Sequence, residues 1–145
     1  MLFLAKLFFG KKGGGAFLND QPMHVNGKAD IDYAFGYCAR VNRRPRSTEY
    51  AKAISWLLLH TTARISNYGS VFALCYLANG GMDFFIGNGG FDYDYFAPVL
   101  IATEAGVMVT DTDGKAWQPG RNDLIAANPI LHPKILKVFQ ESLKQ

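Results

Sequence analysis

Two aspartates at the start of a predicted helix are the side chains of this sequence best suited to chemistry. Asp92 and Asp94 stand in F-D-Y-D-Y-F, directly after a glycine-rich loop at residues 87–90. In open α/β sheets, ligands bind at the carboxyl ends of strands, where such loops gather. A carboxylate there can hold a hard divalent cation such as Mg²⁺. Asp is also among the best N-terminal caps, and the spacing alone favours capping over metal binding.

Gly69 and Ser70 begin a second predicted helix, and this helix start has two interpretations. Free backbone N–H groups and the positive end of the helix dipole suit a phosphate group. A Gly-Ser pair is equally an ordinary way to begin a helix. The pattern leaves both interpretations open.

Three further patterns give weaker signals. The arginines within residues 40–46 are typical of a solvated connector, with anion binding as the less favoured alternative. D-T-D-G at residues 111–114 lacks the later ligands of a calcium loop and therefore predicts a β-turn. His132 is expected to be solvated at the start of the last helix. No set of nucleophile, histidine and acid can be assembled from these patterns, so no catalytic residue is predicted.

The elements that must position these residues alternate between strands and helices. The glycine-rich stretch at residues 10–15 predicts a hairpin turn, and Ser47 is the predicted N-cap of the first helix. Strands are predicted over residues 2–9, 16–18, 34–39, 63–66, 82–86, 107–110 and 124–127, and helices over 48–60, 71–78, 93–105 and 129–144. This alternation predicts an α/β fold in which helices flank a mixed sheet.

Composition narrows the class of protein. The chain has 145 residues, of which 49% are apolar and 19% charged, and this excludes disorder. Its net charge of +3 is too small to argue for a nucleic-acid partner. No apolar run approaches the roughly 18 residues that a membrane span requires, so no membrane partner is expected. Cys38 and Cys75 lie in apolar contexts, which predicts buried free thiols and a cytoplasmic protein.

A set of motifs, taken together, resembles the inositol monophosphatase family. In chain order the motifs are G-G-G-A-F-L-N-D-Q-P-M-H-V, G-S, A-N-G-G-M-D-F-F, Y-D-Y-F-A-P-V-L-I-A-T-E-A-G and N-D-L-I-A-A-N-P. They follow the family's order over nearly the whole chain. The stretch that begins Y-D and ends T-E-A-G is the most specific, with Tyr93 in place of the family's Trp.

The resemblance implies both a fold and a function. It implies the C-terminal half of the sugar-phosphatase fold, with residues 1–26 as a β-hairpin from the family's N-terminal sheet and residues 27–145 as the C-terminal α/β domain. The implied function is Mg²⁺-dependent hydrolysis of an inositol phosphate or a related sugar or nucleotide phosphate. The family's metal-ligating aspartate falls on Asp94, and its substrate contacts fall on Gly69 and Ser70.

Two departures from the family pattern shape the expected activity. The G-E-E and D-P-[IL]-D-G-T motifs, which carry the family's other metal ligands, do not occur in this sequence. Gly87 stands where many members use an acidic residue to hold a substrate hydroxyl. We therefore expect a truncated chain that uses Mg²⁺ only in a complete site and is inactive without an N-terminal half.

The expected partners follow from the same comparison with the family. They are a phosphorylated small molecule and either a separate N-terminal half or a second copy of this chain. The alternative function is a non-catalytic module that binds phosphorylated ligands or oligomerises.

Overall fold

A computed structural model of the chain describes residues 5–39, 44, 46–67, 71–142 and 144. These residues form a small antiparallel sheet, a larger mixed sheet, and helices on both faces of the larger sheet. The small sheet contains β1 (Phe8–Lys11), β2 (Gly15–Leu18) and β3 (Gln21–Pro22). The larger sheet contains β4 (Phe35–Ala39), β5 (Arg64–Ser66), β6 (Phe84–Gly87), β7 (Met108–Thr110) and β8 (Leu124–Ala127). The helices are α1 (Ser47–His60), α2 (Ala73–Ala78), α3 (Asp92–Glu104) and α4 (His132–Ser142).

The larger sheet combines parallel and antiparallel pairing in the order β5-β4-β6-β8-β7. β4 runs parallel to both β5 and β6, whereas β8 runs antiparallel to both β6 and β7. The predicted helix-flanked mixed sheet is therefore confirmed.

The central strand β6 divides the apolar core into two clusters. Phe84 and Ile86 point into the cluster that contains α1 and α4, whereas Phe85 points into the cluster that contains α2 and α3. This alternation follows from the two-residue period of a strand. All of these side chains are buried, which explains why the strand appears in the sequence as a continuous apolar run.

Gly36 allows β4 and β6 to lie side by side. Gly36 pairs with Phe84 across the two parallel strands. A Cβ atom at this position would lie 1.9 Å from the Phe84 ring. The glycine therefore makes room for the aromatic side chain in the core.

The small sheet packs on α3. Phe8 pairs with Leu18 and Lys11 with Gly15, with the turn at residues 12–14 between them. The predicted hairpin is confirmed, but its first strand continues through Gly10 instead of ending before it. A Cβ atom on Gly10 would lie 3.0 Å from Ile101, so this glycine allows the strand to lie directly on the helix. Residues 5–7 form no strand, and the earlier part of the predicted strand lies outside the described residues.

The start of α1 differs from the prediction. The N-cap is Arg46, in the left-handed conformation with φ of 60°, and Ser47 is the first residue of the helix. The prediction of Ser47 as the cap is therefore wrong. The Arg46 guanidinium instead donates to the side chains of Thr112 and Asp113, a contact that sequence spacing does not show.

The environment of His132 also differs from the prediction. The side chain is 2% exposed, and its Nε2 atom lies 3.0 Å from the hydroxyl oxygen of Thr110. The prediction of a solvated histidine is wrong because the first turn of α4 packs against the end of β7.

The predicted buried free thiols at Cys38 and Cys75 are confirmed. Among the described helices, none has the length and apolar character needed to cross a bilayer.

Candidate functional site

The carboxyl ends of β4 and β6 meet at one edge of the larger sheet, beside the start of α3. Asn88 follows β6 and donates its backbone N–H to the carbonyl oxygen of Ala39, the last residue of β4, at 3.1 Å. α3 then begins at Asp92, after the glycine-rich segment that follows β6. In α/β sheets this edge is where ligands bind.

Asp94 lies in the first turn of α3 and is partly buried. Its Oδ2 atom accepts a hydrogen bond of 2.8 Å from the backbone N–H of Phe91. The Asp94 N–H in turn donates to the Phe91 carbonyl oxygen at 2.9 Å, a backbone bond that closes the first turn. The capping role that the spacing favours is therefore present, and it fixes the orientation of the carboxylate at the sheet edge.

Asp92 has a different local role. Its Oδ1 atom accepts a hydrogen bond of 2.9 Å from the backbone N–H of Gly120. This bond connects the start of α3 to the loop that precedes β8. Asp92 is thus occupied in positioning a loop.

Gly69 and Ser70, the predicted substrate contacts, lie outside the described residues. The helix that follows them, α2, begins at Ala73 instead of the predicted residue 71.

The described residues do not by themselves suit Mg²⁺. No group of three or more His, Cys, Asp or Glu side chains able to hold a metal ion occurs among them. Mg²⁺ requires near-octahedral oxygen coordination at short distances and gives up its water reluctantly. Asp94 alone cannot satisfy that requirement.

The D-T-D-G segment forms the predicted turn, in which the Asp111 carboxylate accepts from the backbone N–H groups of Asp113 and Lys115 at 2.9 Å each.

Three arginines line a cavity of about 330 Å³ at the same sheet edge, and we refer to it as the arginine cavity. Arg44 and Arg46 belong to the basic stretch that is predicted to be a solvated connector, and Arg121 precedes β8. The lining residues are Arg44, Arg46, Asn88, Gly120, Arg121, Asn122 and Asp123.

Two of these arginines are held in place by carboxylates. Arg46 lies 3.0 Å from the Asp113 carboxylate, and Arg121 lies 3.1 Å from that of Asp123 and 3.4 Å from that of Asp111. Burial acts to raise the pKa of Asp123, but hydrogen bonds, first from Arg121, lower it to about 2. The Asp123 carboxylate is therefore charged throughout the physiological range.

Arg44 has a different environment. Its guanidinium carbon lies 5.1 Å from the centre of the Phe91 ring, at cation–π distance. Within the part of the chain that the structure describes, it forms no ion pair with a carboxylate.

Asn122, one of the residues that line the cavity, carries a buried polar atom without a partner. The side-chain amide oxygen of Asn122 is buried and accepts no hydrogen bond. An unsatisfied buried acceptor costs roughly 1–3 kcal/mol.

Tyr95 is a buried residue whose hydroxyl is influenced by charges from both Asp94 and the arginine cavity. Its hydroxyl donates to the carbonyl oxygen of Gly89. Burial, followed by the charges of Asp94 and Asp123, raises the pKa of Tyr95 above its usual range, and Arg44 acts in the opposite direction. One buried hydroxyl is therefore within electrostatic reach of the predicted metal ligand and of two side chains that line the cavity.

Packing explains the glycine at position 87. A Cβ atom on Gly87 would lie 2.6 Å from the Phe85 ring, and the Gly87 carbonyl oxygen accepts a hydrogen bond from the Tyr50 hydroxyl. An acidic side chain would fit only if the Phe85 ring moved. The end of β6 therefore carries no carboxylate at position 87.

The sequence patterns do not predict that Arg121, Asn122 and Asp123 line a cavity at this site. The feature of the sequence that could have indicated it is their position directly before the buried strand β8. Because β8 is antiparallel to β6, the residues that precede β8 lie beside the residues that follow β6.

Comparison with known proteins identifies the family. The sequence model of the inositol monophosphatase family matches residues 1–144. The chain belongs to the inositol monophosphatase family. The inositol monophosphatase of Mesembryanthemum crystallinum is 29% identical over 140 residues, which is 94% of this chain and 52% of that protein. Inositol monophosphatase 2 of Homo sapiens is 33% identical over 128 residues, which is 86% of this chain and 43% of that protein.

Solved structures show the same fold. The extragenic suppressor protein SuhB of Bartonella henselae matches with a TM-score of 0.85 at 24% identity, over 94% of this chain and 52% of that one. The chain thus spans about half the length of its relatives in the inositol monophosphatase family.

Proposed function

We propose that this chain forms the C-terminal half of a Mg²⁺-dependent phosphomonoesterase that hydrolyses inositol phosphate or a related sugar or nucleotide phosphate. Asp94 supplies one metal-ligating carboxylate, and Gly69 and Ser70 contact the substrate phosphate. The family match over residues 1–144 supports the reaction class.

The position of Asp94 is the observation that carries this proposal. The residue follows the carboxyl end of β6, and the Phe91 N–H holds one of its carboxylate oxygens. Its side chain is thereby fixed at the edge where α/β sheets bind ligands.

The proposal requires metal ligands from a second segment. Because the described residues do not make a Mg²⁺ site, the missing carboxylates come from the family's N-terminal metal motifs. These motifs are carried either by a longer form of this protein or by a separate chain. The reaction belongs to the joined halves, and this chain alone is expected to be inactive.

Complementation tests the proposal. Phosphate release from inositol 1-phosphate is measured in excess Mg²⁺ with this chain alone, with a family N-terminal half carrying D-P-x-D-G-T, and with both together. Turnover is expected only from the mixture. Robust hydrolysis by this chain alone would overturn the proposal, as would a mixture that forms a complex but remains inactive.

The arginine cavity favours a second candidate, a non-catalytic module that binds phosphorylated ligands. Its side chains can hold an anion without a metal ion. Binding of sugar phosphates by a chain that never acquires activity in the complemented mixture would favour this candidate.

The remaining proposals concern partners and compartment. A second copy of this chain or the separate N-terminal half is the proposed protein partner, and sedimentation of the chain with and without that half distinguishes them. The cytoplasm is the proposed compartment, and the buried free thiols of Cys38 and Cys75 support a reducing one.

A further inference from the structure

The loop between β6 and α3 begins inside the larger sheet and then leaves it. Gly87, the last residue of β6, pairs with Ala39 of β4 and with Leu124 of β8. Gly89 and Gly90 follow it and belong to no strand. Glycine leaves the backbone more conformational freedom than any other residue. A fixed conformation at these two positions therefore needs support from side chains.

Tyr95 supplies that support. Its hydroxyl donates to the carbonyl oxygen of Gly89, and its side chain is fully buried. Gly90 has a φ of 103°, and a Cβ atom there would lie 2.9 Å from the Tyr95 ring, so the loop closes directly over the ring. The ring also packs against Trp117, with the two ring centres 6.1 Å apart. Because these contacts restrict the ring, its hydroxyl is a fixed anchor for the loop.

The anchored loop leads directly to the Asp94 carboxylate. Phe91 follows Gly90, and its backbone N–H donates to the Asp94 Oδ2 atom at 2.8 Å. The stretch from Gly89 to Tyr95 is therefore closed by two hydrogen bonds, one from the Tyr95 hydroxyl and one from the Phe91 N–H. A displacement of Gly89 would move the Phe91 N–H and, with it, the carboxylate that this N–H holds.

We propose that Tyr95 is a positioning residue, whose hydroxyl holds the loop that orients the Asp94 carboxylate for the reaction. Tyr95 acts through Asp94 and does not itself contact the substrate. Its role in the reaction rests on the proposed phosphomonoesterase function. Its role in orienting Asp94 rests on the geometry of the loop.

Tyr50 provides a matched comparison. Its hydroxyl also donates to a glycine carbonyl oxygen, that of Gly87, and its side chain is also fully buried. Tyr50→Phe and Tyr95→Phe thus remove the same group from equally buried positions. Gly87 stays paired with β4 and β8 without this bond, whereas Gly89 belongs to no strand. Only Tyr95→Phe is therefore expected to disturb Asp94.

Hydrogen exchange in this chain alone, without Mg²⁺, tests the orientation of Asp94. Exchange of the Phe91 N–H is measured in the unmodified chain and in both variants. Tyr95→Phe is expected to speed it about tenfold, the factor that corresponds to the loss of one hydrogen bond, and Tyr50→Phe to leave it unchanged. Urea denaturation should show similar losses of stability for the two variants. An unchanged rate in Tyr95→Phe, or an equal acceleration in both variants, would overturn the inference.

The complemented mixture tests the role in the reaction. Tyr95→Phe is expected to lower kcat for inositol 1-phosphate by roughly tenfold or more, since a misplacement of about 1 Å near a reacting centre can cost about 100-fold. KM should change little, because the proposed phosphate contacts, Gly69 and Ser70, precede α2 and not α3. Tyr50→Phe should keep both constants. Equal losses of kcat in the two variants would show that Tyr95 contributes only to stability.

The two tests separate this inference from the proposed function. If the unmodified mixture is inactive, the proposed function fails, and faster exchange of the Phe91 N–H in Tyr95→Phe still shows that Tyr95 orients Asp94. If the unmodified mixture is active and Tyr95→Phe keeps its kcat, the proposed function stands and this inference alone is rejected.

Discussion

The Glu104 side chain accepts a hydrogen bond of 2.7 Å from the backbone N–H of Gly13, joining the last turn of α3 to the hairpin turn between β1 and β2. Its second carboxylate oxygen accepts from the Gly15 N–H at 2.9 Å. These bonds, first that of Gly13 and then that of Gly15, lower the pKa of Glu104 below its usual value of 4.5. One carboxylate therefore links the hairpin turn to the last turn of α3, in addition to the apolar packing of the small sheet on the helix.

Glu104→Gln is expected to loosen this contact. Because folding lowers the pKa of Glu104, the stabilisation that its charge provides is fully present above the unfolded-state pKa, near the usual value of 4.5, and is lost as the pH falls through the folded-state value. The melting temperature should drop near pH 7, and the difference from the unmodified chain should vanish in acid. Faster hydrogen exchange at Gly13 and Gly15 would locate the effect. Glu141→Gln, which changes an exposed pair with Lys137, is the control and should change little.

Gly36→Ala is expected to be one of the most damaging single substitutions in the larger sheet. The added methyl group would lie 1.9 Å from the Phe84 ring, and the paired strands leave the ring little room to move. We expect a loss of roughly 1–3 kcal/mol in the free energy of unfolding, measured by urea denaturation. Gly27→Ala provides the control, because no atom lies within 4 Å of the added Cβ. Similar losses for both variants would show that backbone entropy, and not the clash, dominates.

The buried His132 predicts a pH dependence of stability. Burial lowers its pKa below the usual 6.5, and the contact with Ile125 only partly opposes this shift. Protonation then favours the unfolded chain, so the contribution is complete above about pH 6.5 and is lost as the pH falls below it. Urea denaturation between pH 5 and pH 7.5 should show this decline. His132→Gln should flatten the profile in that window, whereas an unchanged slope would assign the decline to other groups.

Strong local patterns account for the parts of the fold that the sequence predicts well. The turn that begins at Asp111 and the strand β8 lie where they are predicted, because Asx turns and continuous apolar runs depend on neighbouring residues. α3 is predicted to within a residue at each end because a glycine-rich loop precedes it and Gly106 follows it.

Long-range contacts account for the parts that sequence patterns do not reveal. Arg46 donates hydrogen bonds to Thr112 and Asp113, which lie more than 60 positions away in the chain. Arg46, and not Ser47, is consequently the residue that caps α1. The burial of His132 depends on Thr110 in another element. The arginine cavity combines Arg44 and Arg46, between β4 and α1, with residues that directly precede β8, and sequence spacing does not show that these segments lie side by side.

Asp94 is expected to have two separable roles, one in folding and one in activity. Asp94→Ala removes the acceptor for the Phe91 N–H, and we expect a loss of roughly 0.3–1.5 kcal/mol in the free energy of unfolding. Asp94→Asn retains an oxygen acceptor and should unfold at nearly the denaturant concentration of the unmodified chain. Urea denaturation of this chain alone measures this difference.

The same two variants then separate capping from metal binding in the complemented mixture. Both should abolish phosphate release, because each removes the carboxylate charge that a metal ion requires. Asp92→Asn is the control, since it keeps an oxygen to accept from the Gly120 N–H and should retain most of the activity. If Asp94→Asn stayed active while Asp94→Ala did not, Asp94 would be a helix cap only and the metal would be bound elsewhere. Equal losses at Asp92 and Asp94 would likewise count against a specific role for Asp94.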